Sequence, residues 1–176
     1  MKSVNISEVF CEILGGVSIL VYLIPLIDLL GLARLDESFH FVANNLSASG
    51  LAIVVVVAYL LGLLMDAVGL VADEMLFDNL HSEDPPSAAH RKAFWKNAPE
   101  KVIEYRDTQW AYFSAYRNLA IIGIPGGILW VLSIWCNYGV KLALIFFAIA
   151  LFSEYVLLRA ARILITHYFN ITKTWP

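Results

Sequence analysis

Three sets of polar residues lie inside or beside long apolar runs, and their types and spacing define the chemistry open to this chain. The first is Gly62, Asp66, Gly69 and Asp73, spaced so that all four share one face of a helix. Small residues let a second helix approach closely. A carboxylate at membrane depth costs about 2.5–3.5 kcal/mol, so Asp66 needs a partner or a polar path. Arg117 is the first candidate partner and Arg159 the second. Two roles follow: an ion pair that holds helices together, or the lining of an ion or solute path. A position nearer the interface would give neither. The second set is Glu154 with Arg159 and Arg162, in which residues 154, 158 and 162 share a face. Such a set is either a structural clamp or, in a symmetric oligomer, a charged ring around a central opening. Asp66, Glu154, Arg159 and Arg162 are therefore the candidate pore or gating residues.

The third set is Arg162 and His167, with four residues between them. This spacing resembles the R-x4–6-H signature of HEPN ribonucleases, in which Arg holds a phosphate and His moves a proton. Positions five apart on one helix point about 140° apart, so one chain does not easily aim both at one phosphate. We therefore assign no catalytic residue and read the pair as a packing or interaction element.

A basic and aromatic stretch, HRKAFWKNAPEKVIEYR, supplies Arg91, Lys92, Trp95, Lys96 and Lys101. Lys and Arg with aromatic residues beside a span suit anionic lipid headgroups. The same stretch suits a soluble partner or RNA. Cys11 and Cys136 lie in or beside apolar runs and match neither a zinc motif nor a disulfide framework, so both are expected to be buried free thiols. No phosphate loop, HExxH motif or nucleophile elbow is present, and no metal or cofactor is expected.

The elements that position these residues are set by composition. The 176 residues are 60% hydrophobic and 15% charged, and mean hydropathy is +0.70. Soluble domains carry about 25% charged residues, so this is a membrane protein. A net charge of −3 gives no global basic field for nucleic acid. The start carries Glu8 and Glu12 and has no signal-peptide pattern, so the first apolar run is expected to be retained.

Four spans are expected: residues 9–32, with Pro25 and an interfacial Asp28; 50–71; 118–135, where Ile124, Pro125, Gly126 and Gly127 should kink the helix or admit a neighbouring backbone; and 140–158. Arg34, Asp36, Glu37 and His40 read as a short polar loop. Cys136 to Gly139 reads as a four-residue turn. The second span continues in helical spacing to Leu80, until Pro85 and Pro86 break it.

Pro99 and Glu100 start a long helix that projects about 28 Å before it enters the bilayer, at 1.5 Å per residue. It should pack on the extension of the second span as an antiparallel stalk. The chain thus divides into a first hairpin (1–71), a stalk (72–117), a second hairpin (118–158) and an amphipathic C-terminal helix (159–176). All of the twelve Lys and Arg except Arg34 and Lys141 fall on one side of this layout. The positive-inside rule makes that side cytoplasmic, with both termini. Trp130, Trp135, Tyr138 and Tyr22 suit interfacial anchoring.

In its length, its helical extensions and Arg162 with His167 near the end of the last helix, the chain resembles the small membrane accessory protein of type VI CRISPR systems. More loosely, it is similar to other small multi-span proteins of bacterial antiphage loci. The resemblance implies a bacterial inner-membrane homo-oligomer that forms a pore, depolarises the membrane in phage defence and answers to a soluble effector. It would make Arg162 and His167 pore or assembly residues. The expected fold is all-α, with four transmembrane helices and cytoplasmic helical extensions. The leading expectation is a pore- or channel-like effector. The alternative is a non-catalytic scaffold whose stalk recruits a soluble partner; a membrane-tethered ribonuclease is the third possibility.

Overall fold

A computed structural model describes residues 6–45, 47–72 and 85–174. Six α-helices make up the described chain: α1 (Ile6–Leu29), α2 (Leu35–Asn45), α3 (Ala48–Ala72), α4 (Ala88–Asn97), α5 (Glu100–Tyr138) and α6 (Val140–Lys173). There is no strand among the described residues. Four of the helices, α1, α3, α5 and α6, are long and apolar enough to cross a membrane. The protein is all-α, with four candidate spans.

The spans follow the order α3, α1, α5, α6, with α1 packed against both α3 and α5, and α5 against α6. Contacts along the helices give their directions. Gly16 and Gly62 of α1 and α3 meet Ala58 and Glu12 respectively, so these helices are antiparallel. Tyr22 and Asp28 of α1 meet Gly126 and Ser133 of α5, so α1 and α5 are parallel. Gly123 of α5 meets Glu154 of α6, an antiparallel pair. One end of the bundle therefore gathers the start of α1, the end of α3, α4, the first half of α5 and the last half of α6. It is called the basic end below, because it carries most of the Lys and Arg. The other is the far end.

Helix boundaries follow local chemistry. α1 remains helical through Pro25, which is fully buried. It stops at Gly31, whose φ of 68° is open to glycine at little cost. Gly31 N–H donates to Asp28 O and Leu32 N–H to Ile27 O, the paired bonds of a Schellman stop. Residues expected to form a polar loop instead form the first turn of α2. The reason is capping: Asp28 Oδ1 accepts from Leu35 N–H at 3.0 Å and Glu37 Oε2 from Arg34 N–H at 3.3 Å. The expected continuation of α3 to Leu80 lies outside the described residues, as does Asp73. Ser87 caps α4 by accepting from His90 N–H.

One other expectation is corrected in α5. At 39 residues it is about 58 Å long, against about 30 Å of hydrocarbon. It continues to Tyr138, so the expected four-residue turn shrinks to Gly139 alone, at φ 88°. The helix also runs unbroken through Pro125. The neighbours that its glycines admit are side chains rather than a backbone: the Glu154 carboxylate at Gly123 and the Tyr22 ring at Gly126. The half-buried Tyr22 thus packs its ring on α5, whereas Trp135 and Tyr138 are exposed. At the basic end, Phe113 packs with Ala161, Ile165 and Phe169 of α6, flanked by Trp110, Leu164 and Tyr168. Among the described residues, this half of α5 packs on α6, and also meets α4 at Arg106 and α1 at Ala111 and Ala115.

Candidate functional site

One group of charged residues inside the bundle meets where α1, α3 and α5 come together near the basic end. Arg117 of α5 is 2% exposed, and a guanidinium so deeply buried needs nearby acceptors. Its Nη2 donates to Asp66 Oδ1 of α3 at 2.9 Å. Its Nε and Nη2 donate to Asn118 Oδ1 at 3.2 and 3.1 Å. Asn118 Nδ2 in turn donates to Asp66 Oδ1 at 3.3 Å. The Phe113 ring lies 5.5 Å from the guanidinium carbon. The two helices are thereby held together by an ion pair that an amide brackets from the side.

The glycines of the α3 stripe serve two distinct purposes. At Gly69 a Cβ would collide with Asn118 Oδ1 and the Arg117 guanidinium, so glycine makes room for the polar cluster. At Gly62 a Cβ would collide with the Glu12 backbone, so glycine lets α1 approach. On α1, Gly16 does the same against the Ala58 backbone.

Beside this pair is a cavity of about 250 Å³. Glu8 and Glu12 of α1, Tyr59 and Asp66 of α3, and Ser114 and Asn118 of α5 line it. Glu12 Oε2 and Ser114 Oγ are buried and make no hydrogen bond. Neither Glu12 nor Ser114 was expected in a site. The signal was present in the sequence: Glu8 and Glu12 are four apart, on the face of α1 that also carries Gly15 and Gly16.

A second polar knot closes the far end. Asp28 Oδ2 accepts from Ser133 Oγ, and from Asn137 Nδ2 at 2.8 Å. With the bond to Leu35 N–H, this one carboxylate joins α1, α2 and α5. Asp28 is thus a tie between helices rather than a free interfacial carboxylate.

Glu154 does not join Arg159 and Arg162. Its carboxylate turns toward Gly123 of α5, and Oε2 is buried without a hydrogen bond. Arg159 is exposed and donates from Nη1 to Tyr155 Oη at 2.9 Å. Arg162 and His167 are both exposed on α6. Asp66 likewise faces the interior of the protomer, so of the four pore candidates only Arg159 and Arg162 face outward.

Arg91, Lys92, Trp95, Lys96 and Lys101 are all exposed, at α4 and the start of α5. Behind them Arg106, 5% exposed, is held by aromatic rings. Its guanidinium carbon lies 4.2 Å from the Trp95 centroid, 4.5 Å from Phe94 and 5.5 Å from Tyr168. Nε and Nη2 donate to Asp107 Oδ1. The cysteines are both free; Cys11 is buried as expected, but Cys136 is exposed.

Four membrane-length helices with polar ties at both ends define a multi-pass helical membrane protein. No family model, curated protein or solved structure matches this chain.

Proposed function

We propose that several copies of this chain surround an axis and form a pore or channel through the membrane. The observation behind this reading is the surface of α6. Only 6% of its apolar window is buried within the protomer, yet it carries the exposed Arg159 and Arg162 at the end of the span. Arg159 and Arg162 follow directly on the span, and copies of α6 around an axis would bring them together as a charged ring at its basic mouth. With Asp66 and Glu154 turned inward, the charge that α6 offers such an axis is positive. The basic end is the cytoplasmic side, by the distribution of Lys and Arg. In this reading, which draws on the resemblance to the type VI CRISPR accessory proteins and other antiphage membrane proteins, the pore lies in a bacterial inner membrane and alters its permeability in defence.

The test is the oligomeric state of the full chain in detergent, with imaging of the particle. A closed ring with a central opening supports the reading. A monodisperse monomer overturns it.

A second reading rests on the outer face of α4. Arg91, Lys92, Trp95, Lys96 and Lys101 form an exposed basic rim that suits anionic lipid headgroups, a soluble effector or RNA. In that role the chain is a non-catalytic scaffold. Partner capture by the intact protein, lost on neutralising the rim and with no conductance, separates it from the pore.

A further inference from the structure

We propose that the cavity between α1, α3 and α5 is a binding site for a primary alkylammonium ion. The site lies within one protomer and does not depend on assembly.

Its charge is unbalanced. Glu8, Glu12 and Asp66 line the cavity, and Arg117, engaged with Asp66 and Asn118, is the basic residue at its edge. Two buried oxygens there lack partners, Glu12 Oε2 and Ser114 Oγ. Ser114 is only 8% exposed, so its hydroxyl is nearly withdrawn from bulk solvent. A buried polar atom left without a hydrogen bond is costly, and an N–H donor placed among these groups removes that cost. An ammonium group has three such donors and carries the missing positive charge.

The rest of the wall fits an alkyl body. Val9, Leu63, Ala111, Ala115 and Trp110 supply apolar surface. About 250 Å³ exceeds what a single ion needs and suits a chain of a few carbons. Among the described residues, no three His, Cys, Asp or Glu side chains converge closely enough to hold a metal ion. The oxygens therefore suit a ligand with several donors on an apolar stem better than a chelated ion. A free amine or the ammonium of a phosphatidylethanolamine headgroup can supply this chemistry.

The test is the thermal stability of the full-length protein. In detergent, butylammonium is titrated against tetramethylammonium and sodium at constant ionic strength. In nanodiscs, phosphatidylcholine is compared with and without phosphatidylethanolamine. Saturable stabilisation by butylammonium and not by tetramethylammonium supports a free amine. Stabilisation confined to the ethanolamine lipid supports the headgroup. In either case Glu12→Gln should weaken binding about tenfold and Ser114→Ala about threefold. Helicity and elution volume check that each variant folds; Glu8→Gln, at an exposed position, is the substitute if Glu12→Gln does not. No stabilisation in either arm, equal stabilisation by tetramethylammonium or sodium, or binding unaffected by these variants overturns the proposal.

Discussion

Arg117 Nη2 lies 2.9 Å from Asp66 Oδ1, across the boundary between the first and second membrane hairpins. The arginine is 2% exposed and the aspartate 33%, so the guanidinium is enclosed and the carboxylate only partly so. Removing the carboxylate strands a buried cation. Asp66→Ala should therefore destabilise by about 3 kcal/mol, the lower end for a broken buried pair because Asp66 is partly exposed. Asp66→Asn keeps an oxygen acceptor and should cost less. Thermal unfolding in detergent gives both values, and a cycle with Arg117→Met isolates the coupling.

The glycines separate close helix contacts from ordinary ones. Gly16→Ala and Gly62→Ala each place a methyl into the backbone of the facing helix and should cost about 1–3 kcal/mol. Gly15→Ala meets nothing nearer than 3.9 Å and should be neutral or stabilising. Equal melting temperatures for Gly15→Ala and Gly16→Ala would contradict the close crossing of α1 and α3.

Much of the fold was legible in the sequence. Four apolar runs of spanning length revealed four spans, because length and hydropathy alone decide that question. The stripe of Gly62, Asp66 and Gly69 pointed to a close helix face, because helix geometry fixes which residues share it, and Arg117 was the first candidate partner from its place at the mouth of the third span. The inward turn of Glu154 was not legible. Its spacing to Arg162 fits a charged face equally well, and its direction depends on Gly123 of another helix. The α2 helix was also missed, since its N-terminal bonds come partly from Asp28, seven residues earlier. Glu12 and Ser114 were overlooked because each looks ordinary until α1, α3 and α5 are brought together.

Asp28 should be indispensable at the far end. Asp28→Ala leaves the hydroxyl of Ser133, a residue with 0% exposure, and the Leu35 N–H without their acceptor. Hydrogen bonds to a charged group contribute about 1.5–3 kcal/mol each, and not additively. A loss of about 3 kcal/mol in thermal unfolding, with faster hydrogen exchange at the start of α2, is the expected result.

Arg106 holds α4 against the bundle, its guanidinium carbon lying over the rings of Trp95 and Phe94. Lysine keeps the charge and loses the stacking plane. Arg106→Lys should change Trp95 fluorescence and speed tryptic cleavage at Lys96 and Lys101 about five- to tenfold, as α4 opens locally. Unchanged cleavage would show that α4 is held by other contacts.

The pore itself is tested most directly by ion flux. The assembled protein is reconstituted into liposomes with a chloride gradient, and a potential-sensitive dye is followed for wild type and for Arg159→Ala/Arg162→Ala. Wild type should turn the gradient into a membrane potential, and the double variant should give a smaller one, through a lower preference for anions, while remaining assembled. Liposomes that develop no chloride-dependent potential with assembled wild-type protein in the membrane would contradict a pore.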